Sequence, residues 1–287
     1  MPSFTQGSNI LFGHCQDKSC NQVYSPSLTY SINSPVFGLN VMTFPIKSAQ
    51  PILITFLGRS NNQYTEAFGT INCNDTNCKN PHFNATDLGI YFSQPSTLVG
   101  SIINGLPLFT LENSETLYIL SCSDIACNNY QVNSFSMSGS LSSPLQLLTH
   151  PTTNMPFISY NTGSDLYTVE CFDILCVNHT INTLIETQSL VHYGIIFGPD
   201  DFLYYVYYNN THYNFIHCED IVCDKYGQFE MVMNQYTYGT YDTIQLLKSD
   251  IIYAMINYLQ QVALVPLCGP YLKQITPNTG KTHLFQL

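Results

Sequence analysis

The sequence predicts an all-β chain of about six four-stranded repeats, on three observations. A C-x-D-x-x-C segment recurs five times at a near-constant period. A second landmark, an apolar strand opening on Pro or Asp, keeps the same phase. Between landmarks, short runs of Ile, Val, Tyr, Phe and Thr alternate with clusters of Asn, Ser, Gly and Pro, and no window carries a persuasive helical period.

The five copies run from Cys15 to Cys20 with Asp17, Cys73 to Cys78 with Asp75, Cys122 to Cys127 with Asp124, Cys171 to Cys176 with Asp173, and Cys218 to Cys223 with Asp220. Their first cysteines are 58, 49, 49 and 47 residues apart, and Cys268 lies 50 further on in a copy that has lost its Asp and second Cys. Pro107 and Pro156 each begin a strand 15 residues before their Cys, and Pro51 begins a looser copy. Asp201 and Asp250 hold that slot later in the chain.

The repeat units are approximately 1-33, 34-92, 93-139, 140-187, 188-236 and 237-287, within one domain spanning 1-287. In the unit 143–186 the expected strands are a (144–149), b (155–160), c (166–171) and d (178–186). Four short strands per period of 49 residues are the mark of a β-propeller blade. The chain starts at strand c, so it holds six c–d hairpins against about five a–b hairpins. Chain-end strands could complete a sixth blade, five blades could close with the terminal hairpin projecting, or that hairpin could complete a neighbouring protomer's sheet. Unpaired half-blade edges are rarely left unprotected.

Composition narrows the setting. The 287 residues are 45% hydrophobic and only 9% charged, with 19 acids against 8 bases and a net charge of −11. Arg59 is the single arginine. Nucleic acid needs a basic face, so it is excluded as a partner. The low charge with a high apolar fraction argues against disorder. Eleven cysteines, ten of them evenly paired, point to an oxidising compartment. The N-x-[ST] sequons at Asn74, Asn84, Asn178 and Asn209 point to a secreted eukaryotic glycoprotein, extracellular or at the cell surface. Residues 1–7 lack a basic and an apolar region, so either a secretory signal lies outside this numbering or the secreted reading is wrong; the five cysteine pairs, hard to explain in a reducing cytosol, favour the first. The longest apolar run, 251–267, is interrupted by Asn257, Gln260 and Gln261, and no membrane span is expected.

Cysteines at i and i+5 suit a disulfide across a four-residue loop. If strand d began at the second Cys, the two would face each other at the hairpin mouth, about 4.5 Å apart as in a non-hydrogen-bonded pair. The Asp suits an Asx-turn, its carboxylate accepting backbone N–H groups. Zinc is disfavoured because its cysteines usually lie two residues apart in paired knuckles. Calcium is a minor candidate at the Asp loops, since one carboxylate per loop supplies too few oxygens. N-linked glycans apart, no cofactor is expected. Cys268 is unpaired in sequence, either a buried free thiol or one half of an intermolecular bridge.

The repeat resembles the disulfide-clipped β-propeller repeats of secreted bacterial and protist proteins. Those carry a P-φ-φ-S-Y strand, a short hairpin, a strand ending in Cys, an Asp-containing loop and a second Cys. The resemblance covers nearly the whole chain, implies a propeller and an extracellular setting, and implies no activity. Pro266 and Cys268 depart from the pattern, so the last repeat is expected to be irregular.

Catalytic motifs are absent: no H-E-x-x-H, G-x-S-x-G, P-loop or G-x-G-x-x-G occurs. A sialidase-like propeller needs several arginines, and other glycosidases need two paired carboxylates that nothing in the sequence pairs. His14 and His217 share a repeat position with Asn72, Ser121 and Glu170, which reads as solvent-facing. Glu170 and Glu219 read as solvated hairpin residues, and Asp200 and Asp201 as turn residues after Gly198 and Pro199. There are 21 tyrosines and no tryptophan. The run Tyr204, Tyr205, Tyr207, Tyr208 and Tyr213 reads first as β-propensity and cross-strand packing. Its functional reading is a contact surface.

The expected function is non-enzymatic: a structural or adhesive extracellular glycoprotein whose partners are copies of itself, in a fibre or coat. Carbohydrate binding between blades, through Tyr207 or Tyr208, is the alternative, and a glycoside hydrolase is less favoured.

Overall fold

The computed structural model describes residues 8–10, 14–15, 23–24, 30–32, 36–43, 52–59, 65–73, 82–91, 98–113, 115–142, 145–186, 192–208, 212–220, 223, 225–232, 244–248, 252–258, 261–267 and 283–286. These residues form 24 β-strands, with no helix among them. Five antiparallel four-stranded sheets follow one another, each ordered as in sequence. The first holds β5 (Val36–Thr43), β6 (Ile52–Arg59), β7 (Thr65–Cys73) and β8 (His82–Tyr91). The second holds β9 (Leu98–Ile103), β10 (Leu106–Asn113), β11 (Thr116–Cys122) and β12 (Tyr130–Ser136). The third holds β13 (Gln146–Thr149), β14 (Pro156–Asn161), β15 (Asp165–Cys171) and β16 (His179–Glu186). The fourth holds β17 (His192–Phe197), β18 (Leu203–Tyr208), β19 (His212–Cys218) and β20 (Tyr226–Val232). The fifth holds β21 (Ile244–Lys248), β22 (Ile252–Tyr258), β23 (Gln261–Leu267) and β24 (His283–Gln286).

The N-terminal strands β1 (Ser8–Ile10) and β2 (His14–Cys15) pair with β4 (Tyr30–Ile32) and β3 (Val23–Tyr24) respectively. They make two separate two-stranded sheets. In the 143–186 unit the observed strands lie within two residues of the expected ones.

The chain divides into two compact units, Met1–Met137 with Ile174–Val177, and Ser138–Asp173 with Asn178–Leu287. In the first, Phe68, Leu98, Phe109, Leu111 and Leu120 form the core, with Phe68 and Phe109 rings 5.2 Å apart. In the second, Phe157, Leu166, Tyr193, Ile195, Phe197, Leu203 and Tyr205 form the core.

Burial falls from the second strand of a sheet to the fourth. Every residue of β14 is buried, as are the first five of β18, whereas β12 is half-buried or exposed throughout. An apolar side chain moved from water into such a core stabilises the fold by about 1.5–3 kcal/mol, so the buried second and third strands contribute more packing energy than the fourth.

Turn chemistry explains the connections. Asn104 and Gly105, with φ of 52° and 79°, join β9 to β10, the Asn-Gly pair that a two-residue hairpin of positive φ requires. In the second unit, Gln146 ties consecutive sheets. Its Nε2 donates to Tyr193 O at 3.0 Å and its Oε1 accepts from Ile195 N–H at 3.0 Å. The side-chain amide thus mimics a strand residue against the β17 edge, while Tyr193 O–H donates to Ser159 O at 2.7 Å.

Candidate functional site

In the second, third and fourth sheets the hairpins between third and fourth strands share one conformation. Cys122–Cys127 and Cys218–Cys223 are disulfides with Cα atoms 4.9 and 4.8 Å apart. Cys171, Cys176 and Cys73 are also disulfide-bonded. Cys122, Cys171 and Cys218 each end their strand but pair with Tyr130, His179 and Tyr226 respectively, not with the second Cys. The fourth strand begins three residues after the second Cys. This corrects the expectation that the two cysteines face each other across a strand pair: the bridge lies inside the loop.

Cys127 N–H donates to Asp124 O at 3.0 Å and Cys223 N–H to Asp220 O at 3.3 Å, closing a turn. The second cysteines then turn left-handed, with φ of 56° at Cys127, 52° at Cys176 and 61° at Cys223. A non-glycine residue there costs about 1–2 kcal/mol. The Asp side chain and the disulfide offset it. Asp124 Oδ1 accepts from Asn128 N–H at 3.2 Å and its Oδ2 from Asn129 N–H at 3.3 Å. Asp173 Oδ2 accepts from Asn178 N–H at 2.8 Å, and Asp220 Oδ2 from Lys225 N–H at 3.0 Å. Cys20, Cys78, Cys268, Asp17, Asp75, Asn74 and Asn209 lie outside the described residues, and of Cys15 only its place in β2 is described.

Of the sequons, Asn178 is exposed beside its hairpin, its Nδ2 donating to Asp173 Oδ2 at 3.1 Å. Asn84 is half-buried on β8.

At the same end of the sheets lie two acid–histidine pairs. His217, 3% exposed, places Nε2 2.8 Å from Asp200 Oδ2. The Tyr204 O–H donates to the same oxygen at 3.0 Å, and the Tyr204 and His217 rings stack at 4.1 Å. Phe202 N–H donates to Asp200 Oδ1 at 3.3 Å. Gly198 makes room for the stack, since a Cβ there would overlap the Tyr204 ring. One repeat earlier the roles are exchanged: the loop supplies His150 and the strand supplies Glu170, with Nε2 3.9 Å from Oε1. His150 Nδ1 accepts from Thr152 and Thr153 N–H, both at 3.3 Å, so its proton sits on Nε2. That Nε2 is buried without a hydrogen bond, and the ring packs 5.3 Å from that of Phe197.

The position before the first Cys is therefore not solvent-facing at His217, and Glu170 is half-buried beside His150 rather than a free hairpin residue. Sequence reasoning registered both residues but missed their partners, which lie 17 and 20 residues back in loops of different length. The only sequence signal was the acid and the histidine alternating at one repeat position.

Burial first, then the hydrogen bond and charge of Asp200, raise the Tyr204 phenol far above its ordinary value, the opposite of what an activated nucleophile needs. No group of three metal-ligating side chains occurs among the described residues. Most of the tyrosine run is core: Tyr204, Tyr205, Tyr207 and Tyr213 are at most 7% exposed. The packing reading holds for these four, so Tyr207 is not a surface residue, whereas Tyr208 is half-buried.

The chain matches no protein-family model and no curated protein. It is similar in structure to a protein from Lactobacillus plantarum, whose crystal structure was solved as a structural-genomics target. The TM-score is 0.57 at 11% identity, covering 98% of this chain and 82% of that one. The likeness is one of fold, a β-rich repeat architecture. The disulfides fit an oxidising environment. Among the described residues no helix is long and apolar enough to cross a membrane.

Proposed function

We propose that the sheets are blades of a β-propeller and that the protein is a non-enzymatic extracellular glycoprotein, a structural or adhesive subunit associating with copies of itself. The observation that carries the self-association is β12. It ends its sheet, so only one of its backbone edges lies in the ladder. Its seven residues include no charge, Gly or Pro, and its pairing with β11 has no bulge. Natural β-proteins guard edges with such devices. The sequences of three other fourth strands carry them: Asp87 and Gly89 on β8, Glu186 on β16, Gly227 and Glu230 on β20. A chain only 9% charged also offers little electrostatic resistance to packing against itself.

The hydrogen bonding of Asp200 to the buried Tyr204 and His217 supports a non-enzymatic reading. The exposed Asn178 and the half-buried Asn84 are the proposed N-glycan sites within the described residues.

Negative-stain microscopy and light scattering of native material test the reading. Filaments or sheets are expected at high concentration. Monodisperse single particles under those conditions overturn it. Glycosidase treatment that leaves the mass of secreted material unchanged overturns the glycoprotein part.

A further inference from the structure

Side chains alternate along a strand, so Tyr226, Gln228 and Glu230 of β20 share one face. They stand opposite Cys218, Ile216 and Asn214 of β19. Tyr226 is 53% exposed, and Gln228 and Glu230 are exposed. The row is anchored from below. Asn214, 1% exposed, donates through Nδ2 to His212 O at 3.4 Å and accepts Gln228 Nε2 on Oδ1 at 3.2 Å. Gln228 Nε2 also reaches Glu230 Oε1 at 3.5 Å. Tyr205, Tyr207, Ile216 and Cys218 form the packed floor of this face. Burial, then the charge of Glu230 and the phenol of Tyr226, push the Tyr207 hydroxyl upward, which places both surface groups beside that floor.

We propose that Tyr226, Gln228 and Glu230 form a binding row for a neutral oligosaccharide. A pyranose has an apolar C–H face and a rim of hydroxyls. The exposed ring of Tyr226 covers the first at low entropic cost, because only two torsions are immobilised. The carboxylate of Glu230 and the carbonyl of Gln228 accept hydroxyl protons from the rim, and the buried Asn214 amide holds Gln228 ready. Charge decides the sugar class. A sulfated or uronic polymer would meet Glu230 and a chain of net charge −11. The row uses surface residues in place of the buried Tyr207 and is independent of the β12 edge.

Isothermal titration of the full chain with cellohexaose and with mannohexaose tests the proposal. Binding of at least one is expected, weakened about tenfold or more by Tyr226→Ala and retained by Tyr226→Phe. Gln228→Ala, a second exposed change, weakens it by a smaller factor. Absence of heat with both sugars at millimolar concentration overturns the proposal, as does equal binding by Tyr226→Ala. Binding of a peptide to the β20 edge, insensitive to Tyr226→Ala, overturns it as well. Light scattering of Tyr226→Ala is expected to match wild type, so failure of the row and failure of self-association are read separately.

Discussion

Asp200 Oδ2 and His217 Nε2 lie 2.8 Å apart, joining the loop before β18 to the C-terminal end of β19. In the preceding repeat the same two places are joined with the partners exchanged, His150 in the loop and Glu170 on the strand. The repeat keeps an acid beside a histidine and not the residue at each place, with a hydrogen bond at 2.8 Å in one repeat and a looser approach of 3.9 Å in the other. An acid–base contact at a fixed place can be met from either side.

Removing Asp200 is expected to destabilise the second unit. Asp200→Ala deletes acceptors for His217, Tyr204 and Phe202 together and leaves the His217 ring nitrogen buried, a loss of about 2 kcal/mol after allowing for the partial exposure of Asp200. Asp200→His with His217→Glu restores the order of groups found at His150 and Glu170. A denaturant-based double-mutant cycle is expected to give a coupling of about 1 kcal/mol. A coupling near zero would show that the contact is incidental.

The hairpin disulfides are expected to contribute modestly and locally. Each closes a short loop, so replacing Cys122 and Cys127 by Ser costs about 2 kcal/mol on the chain-entropy account. Because Cys127 has φ of 56°, the pair Cys122→Ser with Cys127→Gly is expected to be more stable than the double Ser variant, by about 1 kcal/mol. Equal stability of the two variants by thermal or chemical unfolding would refute the backbone argument.

Self-association through β12 is expected to depend on charge. Val132 is 43% exposed on that strand, and Val132→Lys places a charge on an otherwise uncharged edge strand. Light scattering is expected to show weaker association for this variant. Salt should strengthen wild-type association by screening a net charge of −11. Association that ignores both changes places the contact elsewhere.

The pH response follows from two sets of raised groups. Burial raises the Glu112 carboxyl above its ordinary 4.5. Its contribution to stability is complete below the unfolded value and is lost as pH climbs through the folded one. Glu112→Gln is therefore expected to gain on wild type between pH 4 and neutrality. Tyr193, Tyr204, Tyr205 and Tyr207 are all raised above 10.0, chiefly by burial. Their contribution is full below 10 and falls as pH rises beyond it. An absorbance titration of tyrosinate is expected to show a late group ionising together with alkaline unfolding. A single early step for all tyrosines would contradict their burial.

Much of this was legible in the chain. The strands expected at 144–149, 155–160, 166–171 and 178–186 are observed at 146–149, 156–161, 165–171 and 179–186. Pro, Asn and Gly clusters mark the ends and β-branched runs mark the middles. The pairing of Asp200 with His217 was not legible, because loops of unequal length hide a constant spatial relation from a count of residues.

By itself the amino-acid order determined the repeat, the all-β class and the spacing of each cysteine and its Asp. These depend on neighbours a few residues apart, where backbone geometry leaves few choices. Tertiary structure alone decided that most of the tyrosine run is core, that His217 is buried, that the second cysteines turn left-handed and that Tyr226 is exposed. Those outcomes depend on which face a neighbouring sheet covers and which loop folds over a strand end, and both are set by packing between segments distant in sequence.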